Sequence, residues 1–317
     1  MNRYEEGSLI VSSSPHFSSD ITTSKIMRDV LIALAPAFVA SAFVFGIRVV
    51  LLTAVCVTAC VLFEHLFNMV TKRTNTISDL SAAVTGVILA FNLPPAFPYW
   101  MAVVGCFVAI IIVKQLFGGI GQNFVNPAVT ARVVLLVSFS SQMTIWTTPD
   151  PILTASDAVT AATPLNLFSK GDLVNLPSNI DMLLGTIGGS AGETCAIAIL
   201  IGGLYLVYRK VITFAIPASF LGTMVIMSLI AGVDPIFQIL AGGAMIGAFF
   251  MATDYSTSPM TVHGQIIFGI GCGFLTMMIR LYGSYPEGVS FAILFMNIVT
   301  PHIDNFSNRR LYGGGAK

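Results

Sequence analysis

Ten apolar stretches, most of them near bilayer-crossing length, leave this chain few folds to adopt. A spanning α-helix needs about 20 apolar residues, and helix is favoured because it satisfies its own backbone polar groups without water. The stretches run approximately Asp29–Gly46, Arg48–Val70, Leu80–Leu93, Pro98–Phe117, Ala128–Trp146, Ala191–Tyr208, Val211–Ala231, Pro235–Ala252, Gln265–Tyr282 and Gly288–Thr300. The third and last are short, as tilted or partly re-entrant segments are, and the glycine-rich Met182–Ser190 reads as a half-entering stretch. Charged residues make up 9% of the chain, against about 25% in soluble domains. The expected fold is therefore an all-α polytopic membrane protein with about ten transmembrane helices. A formal net charge of zero gives no basic face for nucleic acid. The polar first 25 residues carry no apolar core of a signal peptide, so insertion is expected to rely on the first spanning helix.

Lysine and arginine then set an orientation. With the N-terminus in the cytoplasm, Arg3, Lys25, Arg28, Lys72, Arg73, Lys114, Arg209, Lys210, Arg309, Arg310 and Lys317 fall inside. Arg48, Lys170 and Arg280 fall outside, and Arg132 lies within the fifth stretch. Removing one helix would destroy this asymmetry. Both termini are thus expected in the cytoplasm, and the loop 147–181 outside; its four aspartates against Lys170 give it a net charge of −3.

That loop divides the chain into a polar segment 1–25, a five-helix half 26–146, the loop 147–181, a second five-helix half 182–302 and a tail 303–317. Five spans per half make the second half enter the membrane inverted. Lys114-Gln115-Leu116-Phe117-Gly118-Gly119 after the fourth stretch echoes Arg280-Leu281-Tyr282-Gly283-Ser284 after the ninth. Glycine-interrupted segments at corresponding places in two inverted halves point to a site at the repeat interface.

Polar clusters interrupt the apolar pattern. Gly118, Gly119 and Gly121 precede Asn123, Asn126 and Pro127. Such glycines let a backbone approach another chain or a flat ligand, and a tight helix–helix turn accounts for them equally. No strand precedes them and no Walker lysine follows, which excludes a phosphate-binding loop. Asp79 and the Gly188–Thr194 run stand where helices begin, positions that favour capping. Glu193 opens a membrane helix among small residues, where an ionisable group is costly and marks function unless it reaches the interface. The five cysteines fall in apolar runs and read as packing residues, with Cys56 and Cys60 on one helix face.

Four separated motifs carry a resemblance. They are Asp157-Ala158-Val159-Thr160-Ala161-Ala162-Thr163-Pro164-Leu165, the Gly118–Ala128 run, Ala90-Phe91-Asn92-Leu93-Pro94-Pro95 and Ala252-Thr253-Asp254-Tyr255-Ser256-Thr257-Ser258-Pro259. Together, from about Lys25 to Asp304, they resemble the NqrB/RnfD family. These are membrane subunits of the sodium-pumping NADH:quinone reductase and of the Rnf ferredoxin:NAD complex. The short polar N-terminus resembles the RnfD branch more than the NqrB branch.

The resemblance implies a urea-transporter-like fold of two inverted five-helix repeats. It also implies FMN joined through its phosphate to a threonine in a Ser/Thr-Gly-Ala-Thr motif. Here that motif reads Thr160-Ala161-Ala162-Thr163, so Thr163 is the matching acceptor, with Asp157, Thr160 and Pro164 beside it; Ala161 departs from the usual glycine. Flavin transferases of this kind act outside the cytoplasmic membrane, in agreement with the charge-based topology.

The implied task is to relay electrons between ferredoxin and NAD, coupled to Na+ or H+ export, within a redox-driven translocase of a prokaryotic inner membrane. The implied partners are the flavin-bearing RnfG and the membrane proteins RnfA and RnfE. A second, non-covalent riboflavin is implied deeper in the membrane part. Thr85, Gly118, Gly119, Gly121, Asn123 and Asn126 are further candidate cofactor-binding residues, and Glu193, Asp254, Asp79 and Arg132 are candidates for an ion path. The alternatives are an NqrB-type protein, a cofactor-free urea- or ammonium-type channel or carrier, and a scaffold component without redox chemistry.

Overall fold

The computed structural model describes residues 22–73, 76–147, 160–171, 176–185, 187–193, 195–283 and 287–308. Asp157, with the rest of 148–159, the polar segment before Thr22 and the end of the C-terminal tail lie outside them. The chain folds as a polytopic helical membrane protein. Its first half holds α1 (Thr23–Phe45), α2 (Ile47–Val70), α3 (Ser81–Phe91), α4 (Tyr99–Phe107), α5 (Pro127–Ser138) and α6 (Ser140–Met143). After the pair β1 (Trp146–Thr147) and β2 (Thr160–Ala161) come α7 (Pro164–Ser169), α8 (Asn179–Leu184) and α9 (Ala196–Tyr208). Then follow α10 (Ala215–Ala231), α11 (Pro235–Leu240), α12 (Ala244–Ile246), α13 (Val262–Tyr282) and α14 (Val289–Asn308).

Every one of the ten apolar stretches contains helix. Among the described residues, α1, α2 and α13 are long and apolar enough to cross a membrane. At 1.5 Å per residue, the 23 residues of α1 reach about 35 Å, enough for the roughly 30 Å hydrocarbon core. Gly46 alone joins α1 to α2; its φ of 71° lets the chain reverse while its N–H closes on Ala42 O. Outward faces carry large apolar side chains such as Phe43, Ile47, Val70 and Ile230, a surface suited to hydrocarbon rather than water.

Other stretches are helical but irregular. The helix of α4 continues as π-helix over Val108–Gln115, and α12 continues as π-helix over Gly247–Met251. Such wide turns are rare and concentrate at functional sites. The eighth stretch breaks at Ala241-Gly242-Gly243, where both glycines have positive φ (62° and 68°). The expected half-entering Met182–Ser190 is the end of α8 followed by bends.

Helix pairing uses small residues, as it must where lipid tails are as apolar as leucine. Contacts join α1 to α9, α2 to α3 and α4, α10 to α13, and α5 to α14. In α13, a Cβ on Gly269 would meet Ser219 Oγ at 1.9 Å, and one on Gly273 would meet Phe220 O at 2.6 Å. In α9, a Cβ on Gly202 would lie 2.0 Å from Ala33 O of α1. Gly202→Ala is therefore expected to destabilise the fold by about 1–3 kcal/mol through overpacking, read as a lowered melting temperature of the detergent-solubilised protein.

Candidate functional site

Among the described residues, two pockets gather the candidate side chains. The first is headed by Thr163. The antiparallel pairing of Trp146 with Ala161 and Thr147 with Thr160 brings the two ends of the long connection together, and Thr163 follows two residues later. A threonine before proline is well placed to start a helix, since Pro at the first turn needs no N–H partner. Thr163 is the N-cap of α7, accepting from Asn166 N–H at 3.2 Å, and is 5% exposed. Pro164, Leu165, Gly188, Gly189, Glu193, Gly242 and Glu287 line the same pocket.

A buried charge cluster supports this pocket. Arg132 of α5 donates through Nη1 to Asn92 Oδ1 and Ser290 Oγ, both at 3.0 Å. Its Nη2 reaches Glu193 Oε1 at 3.3 Å and also contacts Glu287 Oε2. Arg280 of α13 donates to the carbonyls of Gln238, Ala241 and Gly242 at 2.5, 2.8 and 3.1 Å, and to Gln238 Oε1 at 3.1 Å. The Gly-Gly break in the eighth stretch makes this possible. Turning the backbone there frees carbonyls for Arg280, and a Cβ on Gly242 or Gly243 would collide with Leu165 Cδ1 (2.0 Å) or Glu193 Oε1 (2.7 Å). Arg280, expected from the charge pattern at the outer end of the ninth stretch, is buried there in the last turn of α13. Those carbonyls replace the water it would otherwise seek. Glu193 lies in the turn before α9 rather than inside a helix, drawn to Arg132.

The second pocket gathers Thr85 of α3, Lys114 of the first π-helical stretch, Asn123, Asn126, Asp254 and Ser256, with Val30, Ile88, Phe249 and Phe250 as apolar walls. Residues from both π-helical stretches therefore face one cavity. Asn126 caps α5, its Oδ1 accepting from Ala128 and Val129 N–H, while its Nδ2 donates to Met251 O at 3.2 Å. Asn123 donates to Val125 O at 3.1 Å. Gly118, Gly119 and Gly121 have φ of 124°, 101° and 81° and turn the chain from the π-helical stretch toward these asparagines. Asp254 accepts from Ser256 Oγ at 3.0 Å and Thr257 Oγ1 at 3.2 Å. Burial pushes its carboxyl above the usual carboxylate range, against those hydroxyls and the Asn123 amide, which pull it down.

Beside this cavity, Lys114 Nζ pairs with Glu64 Oε1 (3.0 Å) and donates to Ser81 Oγ (2.6 Å). Gln115 and Thr76 donate to the same Glu64 oxygen at 2.9 and 2.7 Å. Asp79 closes a short 3₁₀ turn, Ile77–Asp79, and accepts from Ser81 Oγ at 3.2 Å; the α3 N-cap is Leu80, not Asp79. Sequence reasoning missed Glu64, Lys114, Arg280 and Glu287. For Glu64 a signal existed, a carboxylate inside the apolar run of α2. Cys56, Cys60, Cys106 and Cys272 are buried free thiols.

The fold and these pockets define a class: a polytopic helical membrane protein with pockets among its helices that bring buried polar side chains together. The chain belongs to the NQR2, RnfD, RnfE family, whose model matches residues 10–313. It is 49% identical over 310 residues, 97% of this chain and 96% of the relative, to the D component of the Na+-translocating ferredoxin:NAD+ oxidoreductase complex of Acetobacterium woodii. It is 44% identical over 320 residues, 96% of each chain, to the D component of the proton-translocating ferredoxin:NAD+ oxidoreductase complex of Clostridium ljungdahlii. It is 36% identical over 332 residues, 96% of this chain and 97% of the relative, to the D component of the ion-translocating oxidoreductase complex of Alcanivorax borkumensis.

The Glu64–Lys114 pair yields a test. Removing one partner of a buried pair strands the other charge, at a cost of about 3–5 kcal/mol. Lys114→Met should lower thermal stability by that order, and adding Glu64→Gln to it should restore most of the loss. Equal melting temperatures for wild type and Lys114→Met would contradict the pairing.

Proposed function

We propose that this chain is the RnfD-type membrane component of an ion-translocating ferredoxin:NAD oxidoreductase, carrying FMN on Thr163 and relaying electrons across the membrane part of the complex. The observation that carries the reading is the position of Thr163, a hydroxyl at the head of a pocket with small-residue walls, Gly188, Gly189 and Gly242. The relatives, named as components of such complexes, support it over nearly the whole chain.

The residues present fit a phosphate ester. Thr163 Oγ1 serves the fold as an acceptor from Asn166 N–H, and an ester oxygen keeps a lone pair for that bond. Arg132 and Arg280 stand behind the pocket walls through Glu193, Glu287 and Gly242, and their two positive charges offset those of the two glutamates that line it. FMN would supply reversible acceptance and release of electrons, and the protein's part is placement and electrostatics. Buried Asn92, Ser290 and the two glutamates hold Arg132 in place, which fixes the field at that pocket.

The second pocket suits a non-covalent flavin such as riboflavin. Phe249 and Phe250 offer apolar faces to a flat ring, and Asn123, Asn126 and Thr85 offer hydrogen-bonding edges. The four ion-path candidates fall beside these pockets, Arg132 and Glu193 at the first, Asp254 and Asp79 at the second. The pairings of α1 with α9 and of α5 with α14 support the inverted five-helix repeat, because they join equivalent helices of the two halves. In this reading the Thr163 pocket faces outward, both termini are cytoplasmic, and the neighbours are RnfG, RnfA and RnfE.

The test is a denaturing gel of protein made in cells with a flavin transferase, viewed under ultraviolet light. A fluorescent band should survive denaturation, persist in Thr160→Ala and vanish in Thr163→Ala. A dark wild-type band would overturn the reading and favour a cofactor-free carrier.

A further inference from the structure

Two acids share one guanidinium nitrogen at the Thr163 pocket. Arg132 Nη2 meets both Glu193 and Glu287, while Nη1 is occupied by Asn92 and Ser290. The other cation nearby, Arg280, donates to Gln238, Ala241 and Gly242 and to neither acid. The acid side chains are 6% and 14% exposed, so water screens them little. Two carboxylates facing one donor in such a place repel, and protonation of one of them relieves the repulsion.

We propose that Glu193 and Glu287 form a carboxyl pair that binds one exchangeable proton at the Thr163 pocket and takes it up from water when a negative charge arrives there. The uptake step rests on the flavin proposed for Thr163; the shared proton does not. An electron delivered to the group on Thr163 by a reduced flavin on a neighbouring protein of the complex adds one negative charge beside the pair. One carboxylate then accepts a proton from water, forming an O–H bond. When the electron leaves, that bond breaks and the proton returns to water. Among the described residues, the charged groups facing the pair are Arg132 from α5 and Arg280 from α13. Glu287 lies in the connection between α13 and α14, and burial, reinforced by Glu193 and opposed by Arg132 and Arg280, raises its carboxyl to about 7. A carboxyl in that range exchanges its proton at physiological pH, and Glu287 lies in the pocket lining rather than at a remote site.

The proton and the flavin are tested separately. In full-length Thr163→Ala protein, which carries no attached flavin, infrared difference spectra between acid and alkaline buffer should contain a protonated-carboxyl band titrating near neutrality. The band should shift in heavy water, disappear when Glu287→Gln is added, and persist with Glu287→Asp. Its absence, or its survival in a folded Glu287→Gln protein with an unchanged melting profile, overturns the proposal whatever the flavin does. In the wild-type complex, held at a pH above that range, reduction of the attached flavin should make the same band grow, with up to one proton taken up for each electron. Reduction with no change in the band would overturn the coupling. If the gel shows no attached flavin, the proposed redox function fails, and the flavin-free titration still decides whether the pair holds a proton.

Discussion

The guanidinium of Arg132 is the constraint around which this molecule is arranged. An arginine in the middle of an apolar helix bundle costs several kcal/mol unless its donors find partners. Asn92 from the first half and Ser290, Glu193 and Glu287 from the second provide them. One side chain thus makes the two halves depend on each other. Glu193 and Glu287 also line the pocket that Thr163 heads, so the interaction that joins the halves sets the electrostatics of the site.

A second set of compromises surrounds that interaction. The eighth apolar stretch gives up a continuous helix at Gly242-Gly243. The freed carbonyls of the break accept from Arg280 Nη2, and the missing side chains let α7 and Glu193 approach. At the second pocket, two helices widen into π turns that bring Lys114, Phe249 and Phe250 to a common cavity. Each irregularity weakens local backbone geometry where a polar group or a flat surface is then presented. The regular helices α1, α2, α10 and α13 carry the packing, through close contacts that small residues permit.

Much of this was legible in the sequence. Runs of apolar residues marked every major helix, and Arg132, Glu193, Asn123, Asn126 and Asp254 stood out as polar residues in apolar surroundings. Thr163 stood out through its motif rather than its chemistry, since a threonine before proline caps helices in many proteins. What escaped were pairings across long separations. Glu287 lies 155 residues from Arg132 in the chain, and no local pattern signals that meeting. Lys114 and Arg280 sit near helix ends, where positive charge ordinarily reaches water, and only the packed structure places each beside buried acceptors. The π-helical turns were invisible for a related reason, because their residues are those of an ordinary apolar helix.

The central claim is that a flavin attached to Thr163 sits against the carboxylates anchored by Arg132. A density map of the assembled complex, purified from cells with an active flavin transferase, tests it most directly. The account predicts density continuous with Thr163 Oγ1, entering the pocket between Gly188-Gly189 and the Glu193–Glu287 pair, with Arg132 still bridging the two halves. Density joined to Thr160 instead, or a bare Thr163 with the pocket closed by its own side chains, would contradict it.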